Sequence, residues 1–396
     1  MKRFFIFSAA ILAIFSTVSA QSGRKIAAPP APETNQTAEE ELFSESKPTK
    51  LPPVYLSPKM RRELEKRKKE AEKKSKIIED KSSNTPQIVS EDEDTITVET
   101  NLVTIPVSVF DRNGLYVPNL QQSDFKIFEN GEEQDVAYFG TADKPFTVIL
   151  LLDTSPSTEY KIEEIQEAAI AFTNQLKPQD NVMVIEFDGN VHVLSEITND
   201  RRKIHSAIRD ADFGDGTALY DAVDFSLRKR LSKIEGRKAI VLFTDGVDTA
   251  SGKNTYDSTM YQAQESEALI FPIYYNTYLE NVRQNGGVLS SPFPFPGRGG
   301  VLQGRGVTAE EYAVGKKYLE DLAASTGGRV FRPEATPGGL TNAFEGIAEE
   351  LRRQYNIGYY PQETSKAGER KQIRVRVNRP NLVIRARDSY IVGGKN

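Results

Sequence analysis

The chain has 396 residues, with 51 Lys and Arg against 56 Asp and Glu, a formal net charge of −5 and 38% hydrophobic residues. That length allows two or three domains with an ample core, and the acid excess argues against a general nucleic-acid binder, which would be basic. There is no cysteine, which excludes disulfides, thiolate zinc sites, redox motifs and cysteine nucleophiles and leaves stability to core packing or to bound metal.

Residues 1–20 read as a secretory signal. Lys2 and Arg3 give the positive start, residues 4–15 the apolar stretch, and Val18, Ser19 and Ala20 a small-residue cleavage site. The apolar run is shorter than the roughly 20 residues that span a bilayer, so the expectation is cleavage near Ala20 and a secreted, periplasmic or cell-envelope location. Residues 21–94 are polar, Pro-rich at "AAPPAPE" and nearly without aromatics. Such a segment cannot bury enough apolar surface to offset the entropy of ordering, and a disordered linker is expected. Inside it, residues 59–81 are basic and helix-prone, with Leu64, Ala71 and Ile78 at heptad spacing. Three positions do not make a sustained coiled-coil seam; a solvated helix is expected, with weak contact to an anionic envelope polymer as the alternative.

Residues 95–144 alternate as strands do, in "TITVETNLVTIPVSVFD" and "SDFKIFENGEEQDVAYF", and "ENG" supplies a tight hairpin turn. From 145 to 355 strands alternate with helices, the signature of a parallel α/β sheet. Strands are expected at 147–152, 182–187, 191–194, 239–243, 268–275 and 329–331. Helices are expected at 159–176, 201–208, 218–231, 258–267, 308–325 and 339–355, with a Gly/Pro-rich insertion at 285–306. Residues 356–396 return to strand alternation, with Arg374, Arg376, Arg385 and Arg387 expected on solvated faces. The fold class is therefore α/β: a doubly wound, mainly parallel, Rossmann-like sheet, flanked by a small β module built from the N-terminal segment 95–144 and the C-terminal segment 356–396.

The chemistry concentrates where apolar strands end. "VILLLDTSPST" (148–158) runs a buried strand into Asp153, Ser155 and Ser157; "DFGDGTALYDAV" presents Thr217 at a loop-to-helix junction; "AIVLFTDGVDT" runs a second buried strand into Asp245. Taken singly, Ser157 and Thr217 could cap helices and Asp245 with Gly246 could form a turn. Taken together, they lie where doubly wound sheets bind ligands, beyond the carboxyl ends of strands. Carboxylate and hydroxyl oxygens are hard donors, suited to magnesium, manganese or calcium rather than zinc. A strand-end phosphatase would want a second aspartate at the position Ser155 occupies. There is no nucleotide-binding G-x-x-x-x-G-K-[ST] loop, and His192 and His205 are read as structural or solvated rather than as members of a Ser-His-Asp site.

These three segments resemble the metal-ion-dependent adhesion site of the von Willebrand factor type A domain family, whose pattern is D-x-S-x-S, then a Thr, then an Asp followed by Gly. All five positions match, at Asp153, Ser155, Ser157, Thr217 and Asp245, and the resemblance extends over about 146–355. The flanking β segments resemble a group of exported bacterial proteins that carry this domain between short β regions. The resemblance implies a divalent cation, most often magnesium, held by those five residues, with the serines direct ligands and Asp153 often acting through water. It also implies capture of a carboxylate from a protein partner, hence an exported adhesion or scaffold module and not an enzyme. A structural or assembly protein with a purely stabilising metal is the first alternative, and a metal-assisted hydrolase the second. Asp215 departs from the family, which often has Gly there.

Overall fold

The computed structural model describes residues 43–47, 102–141, 145–156, 162–275, 308–334, 338–361 and 368–392. The expected signal at 1–20, the basic segment 59–81 and the insertion 285–306 lie outside the described residues, as do 95–101.

The central sheet is built on β6 (Phe146–Asp153), whose eight residues are all buried. Both faces of this strand are covered, which is why it reads as an uninterrupted apolar run rather than an alternating one. β7 (Asn181–Phe187), β8 (Val191–Thr198), β9 (Arg237–Thr244) and β10 (Leu269–Tyr274) complete it in the order β10-β9-β6-β7-β8. Four of the strands run parallel, and β8 pairs antiparallel with β7 at the edge through an irregular register. The sheet is thus mixed, with a mostly parallel centre. Its expected strand at 329–331 reduces to a single parallel bridge between Phe331 and Ile273. Gly328 comes so close to the backbone of Ile270 that a Cβ there would lie 2.0 Å from its carbonyl oxygen.

Helices cover both faces. Val148, Leu150 and Leu152 pack with α1 (Ile162–Gln175), α2 (Arg201–Arg209) and α6 (Gly339–Arg352) through Phe172, Ile204 and Phe344. Ile149 and Leu151 pack on the other side with α3 (Leu219–Asp224), α4 (Tyr256–Glu265) and α5 (Ala309–Thr326) through Leu219, Met260 and Tyr318. Each such fully buried aliphatic side chain contributes roughly 1.5–3 kcal/mol relative to exposure. The helix starting at Leu219 continues through a π-helical stretch, Phe225–Arg230. α6 stops at Arg352, short of the expected 355. Tyr355 is drawn instead into a strand, where it pairs with Val107 and Thr141 and its ring stacks on Tyr116.

That strand belongs to a second body of structure. β2 (Val103–Asp111), β5 (Tyr138–Thr141), β11 (Tyr355–Tyr359) and β13 (Leu382–Arg385) form one antiparallel sheet, in the order β13-β2-β11-β5. β3 (Phe125–Glu129), β4 (Glu132–Gln134), β12 (Arg370–Val377), β14 (Ser389–Ile391) and β1 (Ser44–Glu45) form another. The turn between β3 and β4 is Asn130–Gly131, both at positive φ, as a two-residue hairpin requires. The two sheets share one core, with Ile105, Val107, Phe125, Ile127, Ile357, Val375 and Val377 buried. Strands from both ends of the chain are therefore combined in each sheet, and in the four-stranded one they alternate.

Two expectations need correction. Residues 43–47, inside the segment read as a disordered linker, form β1 and its flanks against β12. The edge of β12 supplies ladder partners and Arg376 supplies a surface for Phe43, neither of which composition can register. The C-terminal arginines are not merely solvated. Arg374 and Arg376 hold Glu45, Arg385 meets Glu350 of α6, and Arg387 is buried and donates to the Ser266 and Gln264 carbonyl oxygens.

Candidate metal centre

β6 and β9 are adjacent and parallel, with Leu152 opposite Phe243, so Asp153 and Asp245 leave the sheet side by side. Asp153 is fully buried and Asp245 is 2% exposed. One oxygen of Asp153, Oδ1, accepts from Ser155 N at 3.0 Å, and Oδ2 accepts from Thr244 Oγ1 at 2.6 Å. Thr244 Oγ1 in turn accepts from Gly246 N at 3.0 Å, while Asp245 Oδ1 accepts from Val247 N at 3.0 Å. The carboxylates are thereby fixed by neutral donors. Burial first, and the charge of Asp245 second, push the carboxyl of Asp153 up to about 7, against the opposing pull of its hydrogen bonds from Ser155 and Thr244. Two acidic groups share one dry corner at the sheet's rim.

The Thr217 loop is brought to the same corner by a relay of backbone hydrogen bonds. Gly214 N donates to Thr154 O at 3.2 Å, Thr154 N to Phe187 O at 3.0 Å, and Ala218 N to Asp188 O at 2.6 Å. Gly214 has no room for a side chain, because a Cβ there would lie 1.5 Å from Asp188 Oδ2. On the other side, Thr217 N donates to Thr249 Oγ1 at 2.8 Å, and Thr217 O accepts from Thr249 N and Ala250 N at 2.9 and 3.0 Å. Tyr220 N donates to Asp248 Oδ1 at 3.2 Å, and Asp221 N to Ser251 Oγ at 3.0 Å. The loop carrying Thr217 is therefore clamped between the loops carrying Asp153 and Asp245.

Of the five expected metal-site residues, Asp153, Ser155, Thr217 and Asp245 lie in these three contiguous loops, all of them buried. Ser157 lies outside the described residues. Asp215 is exposed, and its backbone oxygen accepts from Gly189 N at 2.8 Å, so the loop accommodates it without turning the carboxylate inward. Sequence reasoning missed Thr244, Asp248 and Thr249, which orient or brace the corner. Of these only Asp248 carried a local signal, as an aspartate in a short loop just after Gly246, where Asp side chains commonly bond nearby amides. His192 is half exposed beside Asp188, 3.6 Å away, and His205 meets Thr173 Oγ1 at 3.2 Å.

Residues 148–247 match the von Willebrand factor type A domain. The matched type A segment contains Asp153, Ser155, Ser157, Thr217 and Asp245, and ends two residues beyond the last of them. No curated protein matches the chain. Among solved structures, the chain is similar to the conserved hypothetical protein BatB from Bacteroides thetaiotaomicron, at 16% identity and a TM-score of 0.38 over 52% of this chain and 97% of that one. It is similar to the vWF domain of the type V pili tip protein Mfa5 from Porphyromonas gingivalis, at 14% identity and a TM-score of 0.39 over 52% and 95% of the two chains. A third similar structure is the PilB minor pilin from Streptococcus sanguinis, at 12% identity and a TM-score of 0.36 over 52% and 61%.

The donor chemistry of the type A segment fits a hard cation. Two carboxylates and the hydroxyls of Ser155 and Thr217 offer oxygen alone, the ligand class of magnesium, manganese and calcium. Among the described residues no group of three or more His, Cys, Asp or Glu side chains is placed to hold a metal ion.

Proposed function

We propose that the carboxyl-end rim of the central sheet binds a divalent cation, magnesium first and manganese or calcium next, and that it docks an acidic side chain of a protein partner. Asp153, Ser155, Ser157, Thr217 and Asp245 would hold the ion. A bound cation of this kind supplies an electrophilic centre with an exchangeable water, which a carboxylate can replace. The observation that carries this reading is the pair of buried carboxylates on adjacent strand ends, whose mutual repulsion a cation relieves. With two anionic donors among hydroxyls, the site retains the appetite for one more negative group. The function is binding rather than catalysis, in an exported protein that acts as an adhesion or scaffold module. Among the described residues no helix is long and apolar enough to cross a membrane, and the signal-like residues 1–20 support export.

Calorimetric titration tests the metal. Magnesium or manganese is expected to give saturable heat with the wild-type chain and none with Asp153→Ala or Asp245→Ala, each of which should retain the wild-type far-ultraviolet spectrum. Equal heats from wild type and both variants would overturn the site. With manganese as probe, water-proton relaxation is expected to fall when a glutamate-containing peptide is added, because its carboxylate replaces a water on the ion. Unchanged relaxation would remove the docking role and leave a purely stabilising metal.

A further inference from the structure

We propose that residues 43–47 are a donor strand and that the edge of β12 opposite β3 accepts this strand from a second copy of the chain. One edge of β12 pairs with β3. The other is divided: β14 covers Arg370 to Gln372, and β1 covers Arg376 and Val377.

Four residues, Phe43 to Ser46, make a dense and sequence-specific set of contacts there. Ser46 N donates to Val375 O at 2.8 Å, and Ser46 Oγ accepts from Val375 N at 3.0 Å. Ser44 Oγ donates to Arg379 O at 2.8 Å and accepts from Leu382 N at 2.9 Å, bridging β12 to the start of β13. Glu45 lies 2.6 Å from Arg376 Nη2 and 3.6 Å from Arg374 Nη1. The Arg376 guanidinium sits over the ring of Phe43, 3.7 Å from its centroid. Both serines are buried, so the site asks for small hydroxyl residues flanking an acid, behind an aromatic. That pattern is the chain's own "FSES", which points to a strand of this sequence, rather than an unrelated peptide, as the occupant.

Connectivity allows the exchange. A strand joined to its neighbour by a tight turn must dock within its own chain. Here residues 46–124 separate β1 from β3, the next strand of its sheet in sequence, so no tight two-residue hairpin joins them. The contacts are the same in either arrangement, so exchange of this element costs little in contact energy and is decided by concentration. An edge without β1 exposes the ladder groups of Val375, and unpaired ladder groups are a template for another strand. Each copy offers one donor and one acceptor.

Glu45 and Arg376 face each other across the antiparallel pair, and the absence of native cysteine makes engineered thiols unambiguous. The full-length double variant Glu45→Cys/Arg376→Cys is expected to form an internal disulfide at low concentration, which verifies the docking pose. Full-length single variants Glu45→Cys and Arg376→Cys, carrying tags of different size, are then mixed and mildly oxidised. The expected result is a mixed disulfide dimer several-fold more abundant than either homodimer, rising with concentration and suppressed by a synthetic peptide of residues 41–48. Mixed dimer no more abundant than the homodimers, beside internal crosslinking in the double variant, would show a strand that serves only its own chain and would overturn the proposal. No internal crosslink in the double variant would overturn the docking itself. Neither outcome depends on metal, so the result stands apart from the fate of the cation site.

Discussion

At the scale of single residues, the rim depends on glycines as much as on its oxygen donors. Gly246 follows Asp245 at φ +84°, and a Cβ on it would lie 2.8 Å from the backbone of Gly315 in α5. A left-handed backbone and a close main-chain approach both require glycine there. Gly246→Ala is expected to destabilise the protein by about 1–3 kcal/mol and to weaken magnesium binding, read by the denaturant midpoint and by calorimetry; wild-type values for both would show that the loop is not held as described. Asp153, Ser155, Thr217 and Asp245 were legible because each interrupts an apolar run or opens a helix with an oxygen donor. Thr244 was not, since a threonine at the end of a strand reads as ordinary β-propensity. The grip of Thr249 on Thr217, some thirty positions away in the chain, leaves no local trace at all.

Elements were easier to read than the contacts between them. The strand at Phe146–Asp153 and the helix at Ala309–Thr326 follow from an apolar run and from a capped, periodic segment. Tyr355 continued the helical pattern of α6 by sequence, yet two neighbouring strands and a stacked ring claim it. Solvation of Arg385 was the natural reading of a polar position in an alternating strand. It fails because α6 places Glu350, only 1% exposed in its side chain, against both Arg385 and Arg329, at 3.5 and 2.7 Å. Removing one charge from such a cluster strands the others. Glu350→Gln is therefore expected to cost on the order of 2 kcal/mol, detected as a lower midpoint with an unchanged m-value, whereas an unaltered midpoint would mean that the cluster contributes nothing net.

Across the whole molecule, the β sheets and the central sheet are stitched together rather than strung in series. β11 begins three residues after α6 ends. Arg387 reaches from the C-terminal strands to carbonyl oxygens at the end of α4. Arg237 on β9 donates to Leu351 O at 2.6 Å and covers the ring of Phe146, while Gln354 meets Ser108 of β2 at 3.4 Å. Unfolding by urea is accordingly expected to be one transition, with near-ultraviolet and far-ultraviolet signals coincident; two separated transitions would show that the β body and the central sheet stand independently. The pairing of Thr141 with Tyr355 carries a mechanical consequence. The chain enters the central sheet just after one of these residues and leaves it at the other, so the α/β body is a loop closed at its base by this strand pair and braced by the Arg237, Gln354 and Arg387 contacts. Tension on the flanking strands bears on that pair from its Tyr138 and Gly358 end, at the opposite end of β6 from a guest on the rim.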